Sequence, residues 1–238
     1  METLIDYLAE ARAAHRRHDW RGSYAAFVRA EGLGPIPLDD LDAYAAAAWR
    51  LGYGREAVRL AERAFDRVVR TDPAAAAMTA TVLSMQWHAR GHDGVSRQWA
   101  DRAHGLAAGD SARGIDGYLA YVDAATALNS GDTSTLSQAA AALRQTASDT
   151  GDATLALLGR VVDGVAALLE ARAAEGYRLL DDALLPVLDD RIPLDWAGDV
   201  YRVVLRSGRR ADEQHRRAWT ESMQRWAVIT GVVVDPVV

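Results

Sequence analysis

His18-Asp19-Trp20-Arg21-Gly22-Ser23-Tyr24-Ala25-Ala26-Phe27-Val28-Arg29-Ala30 recurs 34 residues later as Gly52-Tyr53-Gly54-Arg55-Glu56-Ala57-Val58-Arg59-Leu60-Ala61-Glu62-Arg63-Ala64. A third copy, Gly91-His92-Asp93-Gly94-Val95-Ser96-Arg97-Gln98-Trp99-Ala100-Asp101-Arg102-Ala103, follows 39 residues further on. A fourth starts at Gly131-Asp132 and a fifth at Ala171-Arg172, each another 40 on, and a sixth, weaker, centres on Arg216 to Met223. Small residues hold the same two places in the first three copies: Ser23 and Ala30, Ala57 and Ala64, Ser96 and Ala103. Small side chains there let neighbouring helices approach closely. A unit of this length cannot bury its own apolar face, so stacked neighbours must bury it jointly.

The residues around these copies read as helix. Of 238 residues 47 are Ala, the best helix former, and apolar residues recur at spacings of three and four. Breakers fall at short intervals: Gly32-Leu33-Gly34-Pro35, Gly52-Tyr53-Gly54, Thr71-Asp72-Pro73, Gly91-His92-Asp93-Gly94, Gly109-Asp110-Ser111, Gly131-Asp132, Gly151-Asp152, Ile192-Pro193 and Ser207-Gly208. They delimit twelve helices near 3–17, 20–31, 38–51, 55–70, 74–90, 94–107, 113–129, 133–148, 152–170, 173–188, 194–206 and 211–229. The helices pair and the pairs repeat. The expectation is one all-α domain over 1–238, with no linker or low-complexity stretch.

This period and pattern resemble the tetratricopeptide repeat, which implies a right-handed α-solenoid of about six helix pairs. A narrower resemblance lies in the order of several segments: Ala-Ala-His-Arg-Arg-His-Asp-Trp (13–20), Ala-Ala-Ala-Trp-Arg-Leu-Gly-Tyr-Gly-Arg-Glu-Ala-Val (46–58), Gly-Tyr-Leu-Ala (117–120), Leu-Asn-Ser-Gly-Asp (128–132) and Arg-Ala-Trp-Thr-Glu-Ser-Met-Gln-Arg-Trp (217–226). Together they look like the helical-repeat region of actinobacterial LuxR-type transcriptional regulators. That resemblance implies a regulatory role. It does not carry DNA binding with it, because nothing after Trp226 could form the family's helix-turn-helix.

Composition narrows the function classes. All 27 basic residues are Arg, 33 residues are acidic, and the net charge is −6. An acidic balance argues against general nucleic-acid or anionic-membrane binding. The absence of Cys excludes disulfides, thiolate catalysis and Cys-ligated metal centres. The N-terminus shows no signal peptide and no stretch approaches a membrane span, so the chain is expected to be cytoplasmic.

In tetratricopeptide folds the first helix of each pair lines the concave face. Aligned on that pattern, Arg12, Arg16, Trp49, Arg50, Met78, Met85, Tyr118, Tyr121 and Asn129 become candidates for binding a ligand or partner. The first two repeats offer charge of both signs, and repeats three to five offer Met, Tyr, Leu and Val. Apolar walls with a few polar groups suit a small molecule, whereas a longer groove suits an extended peptide or amphipathic helix. Many of these side chains have a plainer reading as inter-repeat core.

Asp39, Asp42, His15 and His88 are the candidates for proton transfer, since a carboxylate in an apolar cleft can have a raised pKa. Asp39 has a competing reading, because acidic residues opening a helix complement its dipole. His88 and His92 have metal-ligand spacing, but Gly91 between them ends the helix and two ligands are too few. No metal and no cofactor is expected. Arg202, Arg206, Arg209, Arg210, Arg216 and Arg217 cluster, but Asp212 and Glu213 interrupt them, which reads as solvated helix ends.

The tail Thr230-Gly231-Val232-Val233-Val234-Asp235-Pro236-Val237-Val238 is β-branched and cannot prolong a helix through Pro236. It is expected to cap the last helix pair over Trp219 and Trp226, or to pack on a second subunit in a homodimer. Three functional readings follow. The first is a non-catalytic binding module, regulatory or scaffolding, with a protein or peptide in its concave groove. The second is a sensor for an apolar small molecule. The third is a cyclase or isomerase using Asp or His for proton transfer.

Overall fold

The first helix of each of five successive pairs ends in a residue of the left-handed region: His18 (φ 58°), Gly52 (φ 79°), Gly91 (φ 77°), Gly131 (φ 71°) and Ala171 (φ 59°). Their spacing is the spacing of the sequence copies. In each case the backbone N–H of the following residue reaches back to a carbonyl of the last turn, as Asp19 N to Ala14 O (3.0 Å), Tyr53 N to Ala48 O (2.9 Å) and Arg172 N to Ala167 O (2.8 Å). Such wrap-around bonds satisfy helix-end carbonyls that would otherwise lack partners. One local device therefore stops the first helix and starts the second, and the period of the sequence is the period of that turn.

The computed structural model describes residues 2–107, 114–188 and 192–233, without the side chains of 129, 130 and 194. These residues form twelve α-helices and no strand. In chain order they are α1 (Leu4–Arg16), α2 (Trp20–Leu33), α3 (Leu38–Arg50), α4 (Gly54–Val68), α5 (Pro73–Ala89), α6 (Asp93–Ala107), α7 (Ile115–Ser130), α8 (Thr133–Thr150), α9 (Ala153–Leu169), α10 (Ala173–Leu188), α11 (Leu194–Ser207) and α12 (Glu213–Thr230). Between α11 and α12 a 3-10 turn, Gly208–Arg210, takes the place of the left-handed residue.

Short polar side chains set the helix starts. Thr3 and Asp6 form a reciprocal capping box on α1. Asp19, Asp132 and Asp152 accept backbone N–H groups at the starts of α2, α8 and α9. Each such cap contributes about 1 kcal/mol. The acidic pair Asp39-Asp40 lies in the first turn of α3, after Pro37, and makes no capping bond.

The chain divides into two compact units, with boundaries inside α5 and α12. The first comprises residues up to Ala75 together with 227–233, and the second comprises residues from Ala76 to Trp226. In the first unit α1 packs on α2, α2 on α3, α3 on α4, and α1 on α3. Its core is Leu8, Phe27, Leu41, Tyr44 and Leu60, with Tyr44 in ring contact with Tyr24 and Phe27. In the second unit α7, α8, α9 and α10 pack in succession, and α9 also meets α7 and α11.

The small residues sit where helices touch. Ser23, Ala30, Ala57, Ala64, Ser96 and Ala103 are all buried. Gly176 holds the equivalent place in α10. A Cβ there would come 2.9 Å from the Gly164 carbonyl oxygen and 2.8 Å from Leu168 Cδ2. The close approach of α9 and α10 thus depends on the missing side chain.

Candidate functional site

In the first unit, Arg12 on α1 and Asp40 on α3 make a two-pronged ion pair, with Nε to Oδ1 and NH2 to Oδ2 both at 2.7 Å. Asp40 is buried and Arg12 is half-exposed, so the pair ties the two first helices together while leaving the arginine edge in solvent. The pairing raises the Arg12 pKa, which is already high, and keeps the guanidinium charged. Asp40, not Asp39 or Asp42, is the carboxylate that does this, and only a contact across helices separates the three. The same alignment leaves Ile5, Ala9, Arg12 and Arg16 as an exposed stripe on α1. On α3, Asp39 and Asp42 are exposed, and Ala46 and Trp49 are partly so.

Arg50 and His15 turn a different way. Arg50 is buried, its guanidinium 4.7 Å over the ring of Trp20. His15 meets that ring edge-on at 5.2 Å and His18 stacks on it at 4.9 Å. Trp20 Nε1 donates to the carbonyl of Thr230 (2.5 Å), and the backbone N–H of Val233 donates to the carbonyl of Arg50 (2.7 Å). Residues 230–233 therefore lie against Trp20 and the end of α3. Trp219 and Trp226, the rings this tail was expected to cover, have other neighbours. Trp219 donates Nε1 to Asp181 (2.7 Å) and lies beside Tyr177 and His215, and Trp226 packs on Tyr201. Positions 234–238 fall outside the described residues.

In the second unit the candidates from repeats three and four are mostly interior. Met85, His88, Tyr118 and Tyr121 are buried and Met78 is partly so. Asn129 lies in α7, and its side chain is outside the described residues. Tyr118 donates its hydroxyl to Asp152 (2.8 Å), the residue that also caps α9. Tyr121 donates to Asp199 Oδ2 (2.8 Å), and Arg202 donates Nε to Asp199 Oδ1 (3.0 Å). Trp196 lies against both tyrosine rings, at 4.7 and 5.9 Å. Burial and a neighbouring carboxylate push both phenols well above their ordinary range, so they act as hydroxyl donors and not as acids.

His88 borders this network. Its Nδ1 donates to Asp93 (3.0 Å), and its pKa is lowered, first by burial and then by the charge of Arg202. Asp93 and Asp199 oppose that shift without overcoming it. His92, four residues on, packs its ring edge against Trp87 instead. The two imidazoles do not share a partner, and among the described residues no three His, Asp or Glu side chains form a metal-ligand group.

Trp196, Asp199 and Arg202 were not among the sequence candidates. The signal that would have found them is a charged pair three residues apart, Asp199 and Arg202, flanked by the apolar residues of the middle of α11. Arg202 thereby leaves the exposed arginine cluster to which its numbering assigned it.

A half-open cleft of about 330 Å3 lies between α6, α7 and α8, extending to Ser84 of α5. Asp93, Asp123 and Asp132 line it, with Arg97 and the hydroxyls of Thr126 and Thr135. Desolvation and the nearby Asp101 raise the carboxyl pKa of Asp123, against the pull of His104. The walls are more polar than an apolar ligand would favour.

Among the described residues no helix is long and apolar enough to cross a membrane. No family model, no curated protein and no solved structure matches this chain.

Proposed function

We propose that this chain is a non-catalytic binding module, regulatory or scaffolding, which takes a protein or peptide partner on the exposed face of the first helices of its pairs. The observation that carries this reading is the Arg12–Asp40 ion pair. It sets two exposed stripes side by side, Arg12 and Arg16 on one helix and Asp39, Asp42 and Trp49 on the other. Charge of both signs around a partly exposed tryptophan is the composition of a protein-recognition surface, in which Trp and Arg supply most of the binding energy. The tetratricopeptide-like repeat and the resemblance to LuxR-type regulators support a groove-binding, regulatory role.

The test places a photo-cross-linking amino acid at Ala46, between the two stripes. Irradiation in the cells that make the protein should give one dominant adduct, suppressed by Arg16→Glu and by Trp49→Ala. An adduct pattern indifferent to both substitutions would refute the reading.

A second reading, the small-molecule sensor, is favoured by the cleft between α6, α7 and α8. Its volume is at the lower end of ligand pockets, which begin near roughly 300 Å3. Its lining suits a polar ligand. Native mass spectrometry separates the two readings: a retained adduct of a few hundred daltons favours the sensor, and a clean mass favours the partner-binding module.

A further inference from the structure

In the first unit the turn between α1 and α2 and the turn between α3 and α4 lie beside residues 230–233, where α12 ends at Thr230 and the chain turns at Gly231. The floor between them is Trp20, buried under the His18 ring and the Arg50 guanidinium. This cradle offers one donor and one acceptor to a backbone. Trp20 Nε1 takes the carbonyl of Thr230, and the carbonyl of Arg50, at the end of α3, takes the N–H of Val233. Between those two bonds the chain turns at Gly231, whose φ is +68°. A Cβ there would stand 3.3 Å from Trp20 Cδ1, tighter than an ordinary contact. Val233 then places Cγ1 within 3.9 Å of the Cβ position of Gly52, itself at φ +79°. The cradle thus reads backbone at two points, requires glycine at one position and accepts a β-branched side chain two residues later.

Those are the terms on which a helical-repeat surface would recognise a peptide, and they are met here by the protein itself. Resting on the reading of this chain as a peptide-binding module, we propose that the cradle formed by Trp20, Arg50 and the two turns is an exchangeable peptide site. Its resident occupant is residues 230–233 of the same chain, a built-in competitor for a peptide with glycine followed by β-branched residues. An occupant tethered in cis acts at an effective concentration on the order of millimolar, so a free peptide gains access only when the tether is loosened. Thr230 and Trp20 are buried at the contact, whereas Val233 is half-exposed and Val228 and Ile229, in the last turn of α12, are exposed.

The test uses the full-length chain and a fluorescent peptide of its own residues 227–236 as the probe. Gly231→Val in the protein puts a β-branched residue at a positive φ against Trp20 and should dislodge the resident segment. The probe should then bind this variant at least about ten-fold more tightly than the wild type, since the cis competitor is gone. Trp20→Phe in the same background removes the Nε1 donor and should reverse the gain. A probe carrying Val at the glycine position should not bind. A folded Gly231→Val chain with unchanged affinity for the probe would overturn the proposal. If that variant loses its helical circular dichroism, Val233→Pro, which deletes the N–H given to Arg50, serves the same purpose at a position outside every helix. Amide exchange gives an independent decision: the Val233 N–H should be protected in the wild type, and exchange at the rate of free peptide would overturn the assignment. Protection that disappears on dilution would place a second copy's segment in the cradle and overturn the cis arrangement. None of these readouts depends on the identity of a partner at the α1–α3 face.

Discussion

Replacing Asp199 by Leu removes the carboxylate that holds two groups at once, the Tyr121 hydroxyl and the Arg202 guanidinium. The Asp199 side chain is 3% exposed and that of Arg202 24% exposed, so little water reaches either group to replace the lost partner. An uncompensated buried charge costs about 3–5 kcal/mol, and an orphaned buried hydroxyl a further 1–3 kcal/mol if nothing rearranges. Because the two losses share one site, they should not add fully, and about 4 kcal/mol is the expected destabilisation of Asp199→Leu. For a chain of this size that corresponds to roughly 10 °C in the unfolding midpoint. Arg202→Met leaves the carboxylate buried with only Tyr121 and should cost a comparable amount. The double variant Asp199→Leu/Arg202→Met removes both charges and should recover most of the loss, to within about 1–2 kcal/mol of the wild type. Urea unfolding of the four proteins, followed by far-UV circular dichroism, gives the cycle. A single variant within about 1 kcal/mol of the wild type, or a double variant as unstable as the sum of the singles, would refute the account of this network as a mutually dependent buried pair.

The Arg12–Asp40 pair should behave asymmetrically: Arg12→Met strands a buried carboxylate, whereas Asp40→Asn leaves a half-exposed guanidinium that water can solvate. The former should cost about 2–3 kcal/mol and the latter about 1 kcal/mol by chemical denaturation. The lowered pKa of His88 means that the unfolded chain takes up a proton the folded chain refuses. Stability from this group is complete above the unfolded pKa near 6.5 and is lost as pH falls from there through the lower folded value. Thermal midpoints should therefore drop between about pH 7 and pH 5, and His88→Gln should flatten that part of the profile. Ala171 occupies the left-handed region that three of its four equivalents fill with glycine, so Ala171→Gly should stabilise by roughly 0.5–1 kcal/mol. Gly176→Ala should instead destabilise by about 1–3 kcal/mol, because its methyl would meet the α9 backbone at Gly164.

The helices and their pairing were legible because the turn that joins each pair is a local device with a sequence signature. Gly52, Gly91 and Gly131 announce it directly. His18 and Ala171 do not, since neither is the glycine that marks such a turn. Their places were recovered only from the spacing of the copies around them. Between α11 and α12 the turn is instead a 3-10 turn at Gly208–Arg210, and the sequence there is the least similar to the other copies. The small residues were legible for the same reason: a close helix approach requires them at fixed offsets, and Ser23, Ala57 and Ser96 are all buried where the offset puts them.

The side chains that make chemistry were less legible, and the reason is a difference of range. Helical periodicity assigns a residue to a face, but it does not say which carboxylate on that face meets which base. Asp39, Asp40 and Asp42 differ by one or two positions, yet only Asp40 is turned toward α1 and buried against Arg12. Asp199 meets Tyr121 across 78 positions of sequence, and Trp20 meets Thr230 across 210. Neither partner carries a local mark of the other. What the sequence does carry is the cost of leaving such groups alone. A carboxylate and an arginine three apart in the buried helix α11 must be paired to be tolerated. Likewise, a tryptophan buried at the first turn of α2 calls for an acceptor for its indole N–H. Reading each buried polar group as a demand for a partner would have singled out α11 and Trp20 before any fold was known. In the first unit that demand is met by the carbonyl of Thr230, which Trp20 reaches only because the chain's own end returns to the start of α2.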